Sequence, residues 1–98
     1  MIIIEGTVHV EPAKIDAFRP IMEAMIKASR AEQGCIDYAY ALDILEPGLV
    51  RISERWEGRA ALEAHFQTAH MAKWRAAWTD FGVGDRNLRL YEADPEAI

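Results

Sequence analysis

The chain carries a single cysteine, Cys35, among its 98 residues. One thiol cannot make an internal disulfide framework, and such usage reads as cytoplasmic. No apolar run approaches the ~18 residues that a bilayer-spanning helix needs, so a membrane is not an expected partner. The opening MIIIEGTVHV is apolar but has no basic segment ahead of it and meets Glu5 at once, unlike a signal peptide. Positive charge is also scarce. Eleven Lys and Arg face sixteen Asp and Glu, for a formal net charge of −5, and the basic residues are scattered. Nucleic acid, which is bound largely by neutralising phosphates, is therefore not expected either.

What is present is a globular composition, 51% hydrophobic. The length suits one small domain over residues 1–98, with a core of about 2–92 and a polar tail at 93–98. Three tryptophans in so short a chain suggest a partner surface, most simply a second copy that makes a homodimer.

Residues 2–10 alternate with period two: Ile2, Ile4, Gly6, Val8 and Val10 point one way, and Ile3, Glu5, Thr7 and His9 the other. This is a strand. Pro12 suits a first helical turn capped at or near Glu11. Ile15, Phe18, Met22, Met25, Ile26 and Ser29 then recur at three- and four-residue steps, which predicts an amphipathic helix to about Gln33. It is closed by Gly34 and kinked or broken at Pro20. Ile36, Tyr38, Tyr40, Leu42 and Ile44 share one face of a second strand. EPG at 46–48 turns the chain into a third, with Val50, Ile52, Glu54 and Trp56 on one side. GRAALEAHF reads as a short helix with Leu62, His65 and Phe66 inward. Thr68 caps a further helix bearing Met71, Trp74, Trp78 and Phe81, which ends at Gly82 and Gly84. RNLRLYEA is the last strand.

The order β-α-β-β-α-α-β is that of an α+β, ferredoxin-like split βαβ fold. It has an antiparallel four-stranded sheet with helices on one face. The other face is left open, and pairing two such faces would bury it.

The stretches ASRAEQGCIDYAYALD and SERWEGRAALEAHFQTAH carry a further signal. Glu32, Gly34, Cys35 and Tyr38, then Glu54 and Trp56, then Leu62, His65, Thr68 and His70 resemble the antibiotic biosynthesis monooxygenase family. The resemblance covers residues 2 to 92. It implies a dimeric α/β barrel closed by two sheets. It also implies a choice of chemistries: oxygenation of quinols and polycyclic aromatics without metal or prosthetic group, haem degradation, or isomerisation of small ketones. The fold transfers more readily than the reaction.

The candidate site residues each have a plainer reading. His65 and His70 stand five apart, about 140° around a continuous helix, and no third ligand stands at a telling spacing, so metal is not expected. They either satisfy backbone groups at the break near Thr68 or line a pocket as proton acceptors, His65 more readily because it shares the inner face of its helix. Glu54 on an apolar strand face is either a structural partner or a catalytic carboxylate. Trp56, Tyr38, Phe66 and Trp74 are core or substrate-binding aromatics, and Arg86 is solvated or holds a substrate oxygen. Cys35 reads as a small packing residue.

The expectation is a monooxygenase needing no cofactor, acting on a small electron-rich aromatic with dioxygen. The alternatives on the same fold are an isomerase of a hydroxyketone and a non-catalytic dimeric module that binds a hydrophobic metabolite or haem.

Overall fold

The computed structural model describes residues 1–98. Four strands, β1 (Ile2–His9), β2 (Cys35–Leu42), β3 (Leu49–Trp56) and β4 (Gly84–Glu92), form one antiparallel sheet in the order β2-β3-β1-β4. Helices α1 (Ile15–Arg30), α2 (Arg59–Phe66) and α3 (Ala69–Ala77) complete the ferredoxin-like arrangement. No helix is long and apolar enough to cross a membrane.

The alternation in β1 and β3 is what places the core. Ile2, Ile4 and Val8 of β1 and Val50, Ile52 and Trp56 of β3 are all buried on the helix side. The register lines Tyr38, Glu54, Ile4 and Leu90 across all four strands. On the other side of this layer α1 contributes Phe18, Met22 and Met25. Phe18 stacks between Trp74, 4.9 Å away, and Phe81, 4.4 Å away.

Local departures from the sequence reading have identifiable causes. Pro12 opens a separate 3₁₀ turn, Pro12–Lys14, before α1 begins. Pro20 does not break α1: it lies on the exposed side, where water can serve the Asp16 carbonyl that it leaves without a helical donor. The helix stops at Arg30, three residues before Gln33, because tight turns follow. Glu32 N–H donates to Ser29 O and Cys35 N–H to Glu32 O. Strand β2 shifts register between Cys35 and Asp37, which turns Ile36 outward, and it ends at Leu42. Ile44 therefore lies in the turn, 97% exposed, and not on the strand.

The tryptophans also do not fall where a partner-surface argument needs them. Trp56 and Trp74 are buried in the protomer's own core and Trp78 packs against it. The open sheet face instead carries Ile3, Glu5, Arg51, Arg55 and Tyr91, with the Tyr91 hydroxyl donating to Glu5 at 3.0 Å.

Gly6 fixes how β4 joins the sheet. Its φ of +151° is glycine territory, and a Cβ there would collide with the Asn87 carbonyl of β4. Gly6→Ala should lower unfolding stability by about 2 kcal/mol or more in denaturant titration. Gly58→Ala, where a Cβ meets nothing within 4 Å, should change it by less than about 1 kcal/mol. Equal effects would show that the close β1–β4 approach does not hold in solution.

Candidate active site

The break after α2 creates the site. Thr68 caps α3, its hydroxyl oxygen accepting from Met71 N–H at 3.3 Å and donating to His65 O at 2.7 Å. A continuous helix would hold His65 and His70 well apart; the turn makes them converge. The turn after α1 meets them there. Gly34, at φ +86°, lies so close to α2 that a Cβ would stand 2.6 Å from the Ala61 methyl. This close passage carries Glu32 to the histidines. His65 Nδ1–H donates to Glu32 Oε2 at 2.6 Å, and His70 Nε2–H donates to the same oxygen at 2.8 Å.

A carboxylate oxygen only accepts, so the contact fixes the His65 tautomer. The proton sits on Nδ1, and Nε2 has a lone pair and no protein partner. The His65 ring is 1% exposed and is packed against Trp56 at 4.6 Å and Tyr38 at 5.5 Å. Burial holds its pKa below the ordinary histidine value, with the Glu32 hydrogen bond opposing. The ring is thus neutral near pH 7, in the form that accepts a proton.

His65 lines a cavity of about 200 Å³ between sheet and helices. Tyr38, Tyr40, Glu54, Trp74 and Arg86 share its wall, and the half-exposed Phe66 stands at the rim. Glu54 is buried and accepts from the Trp56 indole N–H at 2.9 Å. Burial pushes its carboxyl up to about 7, against the opposing Trp56 hydrogen bond and the Arg86 charge. The Tyr38 and Tyr40 hydroxyls lie 3.4 Å apart. Burial raises both, Tyr40 to about 12, so both remain protonated donors. The Arg86 guanidinium lies 5.4 Å from the centre of the Trp78 ring. Chemically the chamber offers a base, a carboxyl near its midpoint, phenol donors and a cation, all in apolar surroundings.

Of the expected residues, His65, Glu54, Tyr38, Phe66, Trp74 and Arg86 meet at this cavity. Trp56 does not line it: fully buried behind Glu54, it holds that carboxyl in place. His70 does not line it either, but faces a second cavity with Pro20, Met25 and Lys73. The carboxylate that orients a histidine is Glu32, 33 residues before His65. A third potential metal ligand, which local spacing does not reveal, comes from the turn after α1. Donor atoms of Glu32, His65 and His70 lie within 4.8 Å of one another. Tyr40 joins the wall as well, repeating the facing of Tyr38 two residues on. Burial, with the nearby Glu32 and Glu54 carboxylates, raises the Cys35 thiol, which makes it a poor nucleophile.

Comparison with known proteins agrees with this architecture. Residues 1–77 match the family model described as antibiotic biosynthesis monooxygenase. The chain is 34% identical over 92 residues to the "Probable quinol monooxygenase YgiN" of Escherichia coli, covering 86% of this chain and 84% of that protein. It is 31% identical over 91 residues to the uncharacterised protein sll1783 of Synechocystis, covering 93% of this chain but only 62% of that longer relative. The crystal structure of a "putative antibiotic biosynthesis monooxygenase" from Deinococcus radiodurans superposes with a TM-score of 0.88 at 28% identity. It covers 100% of this chain and 96% of its own.

The raised Glu54 carboxyl has a consequence for stability. The folded state binds an extra proton between the carboxyl's ordinary value of 4.5 and about 7, so stability is lost as pH rises through that window. Glu54→Gln keeps an acceptor for Trp56 and removes the buried charge. It should match the parent near pH 4.5 and exceed it above pH 7 by on the order of 2–3 kcal/mol in denaturant titrations. Parallel stability–pH curves would show that Glu54 stays ionised in the fold.

Proposed function

The chain belongs to the antibiotic biosynthesis monooxygenase family, and from that premise we propose that it is a monooxygenase that oxidises a small electron-rich aromatic, a quinol or a polycyclic phenol or anthrone, with dioxygen. The observation that carries this reading is His65 in the wall of an apolar cavity with its Nδ1 held by Glu32, which leaves Nε2 as the nitrogen available to a substrate. A carboxylate behind an imidazole orients the ring and stabilises the cation formed when it takes a proton.

His65 Nε2 removes a proton from the substrate. The resulting anion is held by the Tyr40 hydroxyl and by Arg86 at the cavity mouth. It is rich enough in electrons to reduce dioxygen itself. Radical recombination forms a carbon–oxygen bond and leaves a substrate hydroperoxide. The His65 imidazolium returns its proton to the peroxide and then takes the hydrogen on the oxygenated carbon; that C–H electron pair becomes the second bond of a carbonyl as the O–O bond breaks, and the departing oxygen leaves as water once protonated. The substrate supplies all four electrons. Glu54, near its midpoint at neutral pH, can protonate the departing oxygen. The apolar wall of the chamber lowers the local dielectric, which strengthens each of these interactions.

The proposal includes a homodimer closed through the open sheet face, where Ile3 and Tyr91 lie among charged side chains that no other part of the chain covers. A protomer that stays single in sedimentation equilibrium would remove that part.

A second reading has one observation in its favour. His65 and Glu54, a base and a partly protonated acid on one cavity, also suit carbonyl migration in a hydroxyketone. Deuterium uptake from solvent into a hydroxyketone without oxygen would select that reading.

The direct test is oxygen consumption by chelator-treated protein on a panel of hydroquinones and anthrones. Uptake should exceed the uncatalysed rate. His65→Ala should lower kcat/KM by roughly 10²- to 10⁴-fold, and Glu32→Gln by roughly tenfold or more. No uptake above background on any member of the panel would defeat the oxygenase reading.

A further inference from the structure

We infer that Glu32, His65 and His70 bind one divalent transition-metal ion of the zinc class, and that its arrival converts His65 from proton acceptor to proton donor toward the cavity. The second half rests on the function proposed above; the first does not. Two imidazoles and one carboxylate are a donor set that zinc and its neighbours take, with a fourth position left for water.

The geometry needs only small adjustment. His65 Nδ1 and His70 Nε2 lie 2.6 and 2.8 Å from one Glu32 oxygen, and all three donor atoms fall within 4.8 Å. Tetrahedral ligands at zinc–ligand distances near 2.05 Å stand about 3.3 Å apart, so the carboxylate must withdraw by about 0.5–0.7 Å and the imidazoles must close by about 1.5 Å or less. His70 has room for this. Its side chain is 24% exposed, and it opens onto a cavity of about 320 Å³ between α1 and α3, apart from the substrate chamber. Lys73 shares that cavity and works against a cation, so affinity must come from ligation and not from the local field.

The consequence follows from counting protons on one ring. Without metal, Nδ1 carries the hydrogen and donates to Glu32, which leaves the lone pair on Nε2 of a ring that lines the chamber. A metal on Nδ1 takes that nitrogen's lone pair, and the neutral imidazole must then carry its hydrogen on Nε2. The base becomes a donor. The ion thus turns off proton abstraction without entering the substrate cavity.

Two measurements test this on the full chain after chelation. In isothermal titration, zinc chloride should bind at one ion per chain, with His70→Ala and Glu32→Gln each weakening it at least about tenfold and His9→Ala leaving it unchanged; circular dichroism checks that each variant is folded. Long-range proton–nitrogen spectra should show the His65 hydrogen moving from Nδ1 to Nε2 as zinc is added. No binding at ~1 mM zinc, or binding indifferent to both His70→Ala and Glu32→Gln, overturns the site. Bound zinc with the hydrogen still on Nδ1 overturns the switch. Neither measurement uses turnover, so a failure here is distinct from a failure to consume oxygen.

Discussion

One carboxylate oxygen, Glu32 Oε2, ties together three segments that the chain brings from different places: the turn after α1, the end of α2 and the start of α3. Hydrogen bonds to a charged partner are worth roughly 1.5–3 kcal/mol each when shielded from water. Their larger effect here is orientation. They decide which nitrogen of a buried imidazole faces the cavity, and therefore whether the cavity holds a base. Thr68 and Gly34 serve that contact, one by bending the chain between the histidines, the other by letting the α1–β2 turn lie against α2.

The same small core stores both stability and chemistry. Trp56 illustrates the overlap. It fills the space under α2, packs on His65 and donates to Glu54, so one fully buried indole supports both titratable groups without touching the cavity. Glu54 is kept at a cost in folding free energy, because an ionised carboxylate in this setting has lost most of its water. A core built for stability alone would place an apolar residue there. The cavity wall is therefore where function is expected to compete with folding.

The strands and their facing were legible because period-two alternation reports burial directly: β1 and β3 run as their apolar patterns require. The caps were legible where chemistry is local, as at Thr68. What the sequence could not show was any arrangement made by distant partners. Five-residue spacing says nothing about His65 and His70 once the helix breaks between them, and no rule of local spacing reaches Glu32, 33 residues away. Pro20 stays inside its helix because the cost of a missing helical hydrogen bond depends on whether water can replace it, which is a property of the fold. The family resemblance did mark Glu32 among its matching residues, but it marked position, not contact.

The central claim concerns the protonation pattern of one ring. Long-range proton–nitrogen correlation on metal-free protein near pH 7 reads it without any substrate. The account predicts that His65 is neutral, with hydrogen on Nδ1 and an unprotonated Nε2, and that Glu32→Ala loses this preference. A His65 ring protonated at Nε2, or unchanged when Glu32 is removed, would contradict it.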